Sequence, residues 1–220
     1  MKRSIIVTDD GSKSLFVHDM GETYHSKFGA LQEANFVFIK NGLDLFSNQS
    51  VSILEIGFGT GLNAFVTLCK AQELNLKINY KGVEAYPLNQ EEFEVLNYPE
   101  IADRMDLAPN FKDMHTSAWE TPYTITENFT LTKEQKFFSD IIEENCFDLI
   151  YFDAFGYQYQ PDLWSLEVFT SMYKALKPNG VLVTYACRSI IKNNMKSAGF
   201  TTSKLPGPPG KREMLRGVKL

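Results

Sequence analysis

Apolar positions change their spacing several times along the chain, and each change marks an element. Between residues 3 and 18 apolar and polar positions alternate on both sides of Asp10-Gly11, a good turn dipeptide, which predicts a β-hairpin. Ser26 then stands where a helix cap belongs, ahead of Ala30, Leu31, Ala34, Val37 and Phe38 at helical spacing. From Val51 the pattern becomes a buried strand to Ile56 that runs into Gly57-Phe-Gly-Thr-Gly61, followed by a helix carrying Leu62, Phe65, Val66 and Leu68. A second strand ends at Val83-Glu84, and helix is expected from Pro87 to about 107. Phe147–Phe152 is another buried strand, followed by a helix near 165–176 that Lys177-Pro-Asn-Gly180 should stop and a strand over 181–185. Alternating strands and helices predict a parallel sheet covered on both faces. The segments 200–205 and 212–218 flank the turn Pro206–Gly210 and should pair antiparallel. Within Ser117–Lys136, the alternation over 122–126 and 128–132 predicts a hairpin that ornaments the sheet.

A chain of 220 residues with 44% hydrophobic and 22% charged side chains is an ordinary globular chain, long enough for one domain with a proper core. The pattern divides it into an N-terminal hairpin and helix (1–48), expected to complete a substrate pocket, and an α/β core (49–220). No apolar run approaches the ~20 residues needed to span a bilayer, and Met1–Asp10 lacks the apolar stretch of a secretory leader. Cys69, Cys146 and Cys187 are scattered and odd in number, which fits reduced thiols in a cytoplasmic protein and no metal site. The net charge of −5 is uneven: the stretch 188–220 carries eight Lys or Arg and one acid, or +7, leaving −12 on the rest. That segment is either a solvated surface or a local patch for phosphates.

The glycine loop is the first chemical signal. Gly57, Gly59 and Gly61 permit a tight strand-to-helix turn where backbone can approach a ligand. The spacing is not that of dinucleotide enzymes, and no Lys-Ser/Thr follows to make a nucleotide-triphosphate loop. Glu84 ends the second strand, where an acidic side chain can accept hydrogen bonds from both ribose hydroxyls; the plainer reading is a surface Glu. Glu55, at the end of the first strand, would complement a cationic amino group, directly or through water. Asp153 ends the strand 147–152, on the side where ligands of open α/β sheets bind, and is suited to hold an amine and take up its proton; the rival is a structural hydrogen-bonding Asp. Asp148 lies at the opposite end of that strand, as a cap or in solvent. His25 alone would be a surface or helix-capping residue, while Trp164, Tyr157 and Tyr159 are either ordinary packing or stacking surfaces for a substrate.

In collinear order over most of the chain, these motifs resemble the methyltransferase module of the MnmC tRNA-modification enzymes, which also occurs as a stand-alone protein. The resemblance is carried by Gly21-Glu-x-Tyr-His-Ser26 with Glu33, Gly57-Phe-Gly-Thr-Gly-Leu-Asn63, Glu84-Ala-Tyr-Pro-Leu88, Asp148–Phe155, Pro161-Asp-Leu-Trp164, Ala198-Gly-Phe200 and Lys211-Arg-Glu-Met-Leu-Arg-Gly217. It implies a Rossmann-like class I S-adenosylmethionine-dependent methyltransferase, its mostly parallel sheet closed by a C-terminal antiparallel hairpin. The implied reaction is N-methylation of the 5-aminomethyl group of (2-thio)uridine at the tRNA wobble position. By the same resemblance Asp153 is catalytic; Glu55, Gly57, Phe58, Gly59, Thr60, Gly61, Asn63, Glu84 and Ala154 fall at cofactor positions. Tyr24, Ser26, Glu33, Phe155, Pro161, Trp164, Lys211, Arg212 and Glu213 fall around the substrate. Partners would be the tRNA anticodon stem-loop, met in part by the basic tail, and a separate oxidase or amine-forming enzyme upstream, since no second glycine-rich motif for a flavin is present. The sequence departs from the family at Ala154-Phe-Gly-Tyr157, where members often have Gly-Phe-Ala-Pro, and at Lys133–Phe137, where they often place a Gly-Asp near adenine. An aminopropyltransferase of the same fold and a non-catalytic module are the alternatives.

Overall fold

The computed structural model describes residues 2–220, which form two sheets. The smaller is the predicted hairpin, β1 (Arg3–Val7) and β2 (Lys13–Val17), extended by a two-residue strand β3 (Glu22–Thr23) too short to leave a pattern. Val7 pairs with Lys13, so the turn is Thr8–Ser12, with Gly11 at φ 83° and the Asp10 carboxylate accepting from Ser12 N and the Thr8 hydroxyl. Arg3 docks this sheet on the core by donating to Tyr86 O (2.6 Å) and Glu92 (2.9 Å).

Helix α1 (Ala30–Ala34) starts from Gly29, not Ser26, whose hydroxyl instead accepts from Phe28 N in a local turn. Gly29 sits at φ 146°, and a Cβ there would lie 2.7 Å from the Asp10 carboxylate, so the chain enters the helix at the one residue that tolerates this geometry. The helix widens into a π-type turn over Asn35–Lys40 that buries Val37, Phe38 and Ile39.

The core comprises β4 (Ser50–Ile56), α2 (Leu62–Glu73), β5 (Lys77–Val83), the short α3 (Gln90–Phe93) and α4 (Tyr98–Ile101), then α5 (Ala108–Thr116), β6 (Tyr123–Thr126) and β7 (Phe129–Glu134). It continues with β8 (Phe147–Phe152), α6 (Leu166–Ala175), β9 (Leu176–Thr184), α7 (Ser189–Ser197), β10 (Thr201–Pro206) and β11 (Glu213–Val218). The sheet order is β10-β11-β9-β8-β4-β5-β7-β6; strands β7, β5, β4, β8 and β9 are parallel, and β11 and β10 close one edge as an antiparallel hairpin. The chain leaves β4 toward β5 on one side and returns to β8 on the other. That reversal opens a crevice at the carboxyl ends of β4 and β8. Apolar side chains fill both faces, with Phe38, Phe65, Tyr80 and Phe111 on one and Phe152, Trp164, Phe169 and Leu176 on the other. Burying each large side chain contributes about 1.5–3 kcal/mol against the cost of ordering the chain.

Three further expectations are corrected. The helix from Pro87 to about 107 is broken into pieces: α3 opens at a capping box made by Asn89 and Glu92, and Asp103, at φ 53°, breaks the chain between α4 and α5. The 122–132 hairpin is not an ornament, because its second strand β7 pairs parallel with β5 from Ile78↔Phe129 to Val83↔Glu134 and is a core strand, with β6 added antiparallel as the edge strand of the same sheet. Its alternation, with Phe129, Leu131 and Lys133 facing inward, looks the same in a hairpin and in a half-polar core strand. The segment 177–180 does not itself stop a helix but bulges within β9, where pairing jumps from Phe147↔Leu176 to Leu149↔Val181 and Asn179 adopts φ 65°. Among the described residues no helix is long and apolar enough to cross a membrane, and no cluster of His, Cys, Asp or Glu is arranged for a metal ion.

Candidate active site

The crevice is narrow at its base because glycine allows it. Gly57 has φ 89°, and a Cβ on it would sit 2.7 Å from the Asp153 carbonyl oxygen; Asp153 N in turn donates to Ile56 O at 2.9 Å. The ends of β4 and β8 therefore touch through backbone alone. Gly57 N and Phe58 N both donate to Val83 O, and Gly59 N donates to Glu84 Oε2 at 3.0 Å, while Tyr86 N donates to Glu84 Oε1 at 2.9 Å. The loop is thus laid across the end of β5, with the Glu84 carboxylate held from two sides.

Behind the loop lies a chain of polar side chains. The Asn63 amide donates to Glu55 Oε1 (2.9 Å) and to Asp153 Oδ2 (2.8 Å), and the Tyr80 hydroxyl donates to the other Glu55 oxygen (2.9 Å). Burial pushes the Glu55 carboxyl well above its ordinary value, opposed by the hydrogen bonds from Asn63 and Tyr80. Burial likewise raises Asp153 to about 7, with the Asn63 hydrogen bond opposing, the Glu33 charge adding and the Lys211 charge opposing. Near neutral pH Asp153 is thus divided between its ionised and protonated forms, which suits a group that handles an amine proton.

The crevice opens into a cavity of about 1130 Å³. Its wall brings together Asp153, Ala154, Gly57–Thr60, Asn63 and Glu84 with Tyr24, Ser26, Glu33, Phe155, Pro161 and Lys211–Glu213. Three residues expected there are not in it. Glu55 is 0% exposed and reaches the site only through Asn63. Gly61 faces away, at φ 70° as the N-cap of α2, with a Cβ position 3.1 Å from His115. Trp164 is 0% exposed, packs on Phe152 with ring centres 5.0 Å apart, and donates from Nε1 to Phe155 O at 2.8 Å. Its part is to hold the loop after Asp153, not to stack on a ligand.

Other residues depart from their sequence reading as well. His25 is partly exposed in the cavity wall and is no helix cap: Nδ1 is 2.8 Å from the Ser14 hydroxyl and Nε2 is 3.3 Å from the Thr60 hydroxyl, bridging the small sheet to the glycine loop. Burial lowers it to about 4, so it is neutral at physiological pH. On the other side of Thr60, His115 Nε2 lies 3.1 Å from its carbonyl oxygen, with the ring stacked on Phe93 at 4.7 Å. Asp148 accepts from Ser52 N and pairs with Lys177, closing the far end of β8. The basic tail is divided: Lys219 donates to Leu176 O, Lys204 pairs with Glu213, and of its eight basic residues Arg188, Lys211 and Arg212 stand in the cavity wall. Arg188 lies 5.8 Å over the Tyr157 ring.

Tyr185 is a wall residue that sequence reasoning missed, although it directly follows β9 on the ligand side of the sheet. Its hydroxyl donates to Ala154 O (2.8 Å), and Lys211 Nζ lies 3.8 Å over its ring while pairing with Glu33. Tyr86 and Phe137, also in the wall, are 50% and 59% exposed beside Glu84, with ring centres 6.4 Å apart.

Comparison with known proteins agrees with this arrangement. Residues 133–220 match a family model described as S-adenosyl-L-methionine-dependent methyltransferase, a description that names the cofactor implied by the resemblance. The bifunctional protein MnmC of Aromatoleum aromaticum, named for tRNA 5-methylaminomethyl-2-thiouridine biosynthesis, is 30% identical over 96% of this chain and 34% of its own length. The resemblance read from the motifs therefore holds across nearly the whole chain. The chain spans about a third of the length of the curated relatives it matches. Among solved structures, MnmC2 from Aquifex aeolicus superposes with a TM-score of 0.80 at 23% identity, covering 98% of this chain and 70% of that one. Spermidine synthase from Thermotoga maritima superposes with a TM-score of 0.54 at 14% identity, covering 100% of this chain and 72% of that one, a likeness of fold alone. The fold is that of the class I S-adenosylmethionine-dependent methyltransferases.

Proposed function

We infer that this chain is a methyltransferase of the MnmC kind that transfers a methyl group from S-adenosylmethionine to the 5-aminomethyl group of a (2-thio)uridine at the wobble position of tRNA. The observation that carries the reading is the meeting of Asp153, Glu84 and the glycine loop in one cavity wall with Tyr24, Glu33 and Lys211. Similarity to the MnmC proteins over 96% of the chain supports the choice of substrate.

The residues present fit the cofactor. A side chain on Gly57 would press on the Asp153 backbone and one on Gly59 would press on Tyr24, so both positions keep a bare backbone cradle. Glu84 offers two oxygens at the end of β5, suited to ribose hydroxyls. S-adenosylmethionine, when bound, supplies an electrophilic methyl group. Asn63 holds one oxygen of Asp153 and leaves the other for the substrate amine. An alkylammonium must lose a proton before its nitrogen can act as a nucleophile, and ionised Asp153 takes that proton while holding the amine in line. The Tyr24 and Phe155 rings, edge to face at 5.1 Å, wall the cavity at its N-terminal side. In this reading residues 1–48 complete the substrate pocket over the 49–220 core, since Tyr24, Ser26 and Glu33 all come from the first segment. The reaction also needs a tRNA whose amine another enzyme has made, and it belongs in the cytoplasm with that tRNA.

The test is to incubate the purified chain with S-adenosylmethionine and tRNA bearing 5-aminomethyl-2-thiouridine, and in parallel with decarboxylated S-adenosylmethionine and putrescine. Methyl transfer to the tRNA alone is the expected result; activity on the polyamine alone would overturn the reading.

A further inference from the structure

The deepest use of the cavity wall beyond amine handling lies at Lys211 and Glu33, a pair formed across 178 positions of sequence. Lys211 Nζ is fixed twice, by the Glu33 carboxylate and by the Tyr185 ring 3.8 Å below it. Glu33 is fixed as well, because its other oxygen accepts from Ser26 N at 3.1 Å. The Glu33 side chain is only 12% exposed, so this carboxylate sits within the wall and not on the outer surface. Both charges act on Asp153, one raising and one lowering its proton affinity. Neither residue is exhausted by its present partners: an ammonium has three donors and a carboxylate about four acceptor sites.

A donor and an acceptor held side by side in the wall that also carries Asp153 form a pattern. In a 5-aminomethyl pyrimidine the ring carbon that bears the aminomethyl group, C5, adjoins C4, and N3 comes next along the same edge. Uracil presents an acceptor at O4 and a donor at N3–H, whereas cytosine presents the reverse, an amino group at C4 and a bare N3. We propose that Lys211 and Glu33 read this edge, Lys211 donating to O4 and Glu33 accepting from N3–H, so that the site accepts uracil and refuses cytosine. The inference rests on the methylation reading above. A site with preset polar groups rejects the mismatched base strongly, because the wrong base leaves a donor facing a donor and an acceptor facing an acceptor.

The experiment compares anticodon stem-loops carrying 5-aminomethyluridine or 5-aminomethylcytidine as substrates for the wild type, Lys211→Met, Glu33→Gln and Lys211→Arg. Losing Lys211 also alters the charge felt by Asp153, so a fall in rate shared by both bases reports the carboxylate; the ratio between bases reports the edge. The wild type should prefer uridine by about 100-fold or more in kcat/KM. Lys211→Met and Glu33→Gln should each narrow that preference by about 10-fold or more, with S-adenosylhomocysteine affinity unchanged, and Lys211→Arg should keep most of it. An active wild type whose preference survives both substitutions would overturn the inference and reduce the pair to a latch. A wild type inactive on both substrates would overturn the methylation reading and this one with it.

Discussion

Replacing Asp153 by Asn separates the function of this residue from its cost. The substitution preserves shape and leaves an oxygen to accept from Asn63, now 2.8 Å from Asp153 Oδ2. It removes the ability to ionise and puts an amide NH2 where the second oxygen would hold the substrate amine. In the folded chain the carboxyl titrates at about 7, above its ordinary 3.8, chiefly because it is buried. The folded state therefore binds this proton more tightly than the unfolded state, and the Asp153 contribution to stability falls as pH rises between those values and levels off above about 7. At about 1.4 kcal/mol per pH unit, the full interval amounts to roughly 4 kcal/mol, and about 2–4 kcal/mol is expected after the protein relaxes around the charge. Urea denaturation of both proteins at about pH 4.5 and about pH 8.5 should show the variant gaining on the wild type by that order at the higher pH. Methyl transfer should meanwhile drop by about 10²–10⁴, the usual worth of a positioned proton acceptor, while calorimetry finds S-adenosylhomocysteine affinity within a few-fold of wild type. Stability curves that run parallel across pH, or a variant of near-wild-type rate, would refute the reasoning.

Other substitutions probe the remaining parts. Glu84→Gln should weaken S-adenosylhomocysteine binding about 10-fold or more, as expected for losing a charged acceptor, with tRNA affinity unchanged by filter binding. Gly57→Ala places a Cβ 2.7 Å from Asp153 O at φ 89°, so thermal melts should show a loss of about 1–3 kcal/mol and calorimetry a loss of cofactor binding. Trp164→Phe removes the hydrogen bond to Phe155 O; a stability loss of about 1–3 kcal/mol should accompany a raised KM for tRNA with the KM for S-adenosylmethionine unmoved.

Much of this architecture is legible in the chain because local chemistry and global fold agree. Val51–Ile56 followed by three glycines can scarcely be anything but a buried strand turning into a helix, and Asp153 and Glu84 are located by the strands they end. The failures have physical causes. Phe129–Glu134 hides a core strand because Lys133, 1% exposed, occupies an inward position and satisfies its ammonium on His115 O at 2.7 Å and above the Trp119 ring. Trp164 looks like a stacking platform because sequence shows the loop it sits in, not the Phe155 carbonyl that its indole secures. His25 and His115 meet on Thr60 from segments far apart in sequence, and no spacing rule reports such a meeting. Charge counting along the basic tail likewise does not show that Lys219 is turned to Leu176 O or that Lys204 pairs with Glu213.

The most direct measurement is mass spectrometry of nucleosides from the tRNA of a strain lacking this chain, complemented with the wild type or with Asp153→Asn. The account predicts that 5-aminomethyl-(2-thio)uridine accumulates, that the methylaminomethyl nucleoside disappears, and that only the wild-type chain restores it. A nucleoside profile unchanged by the deletion, or restored equally well by the Asn variant, would contradict it.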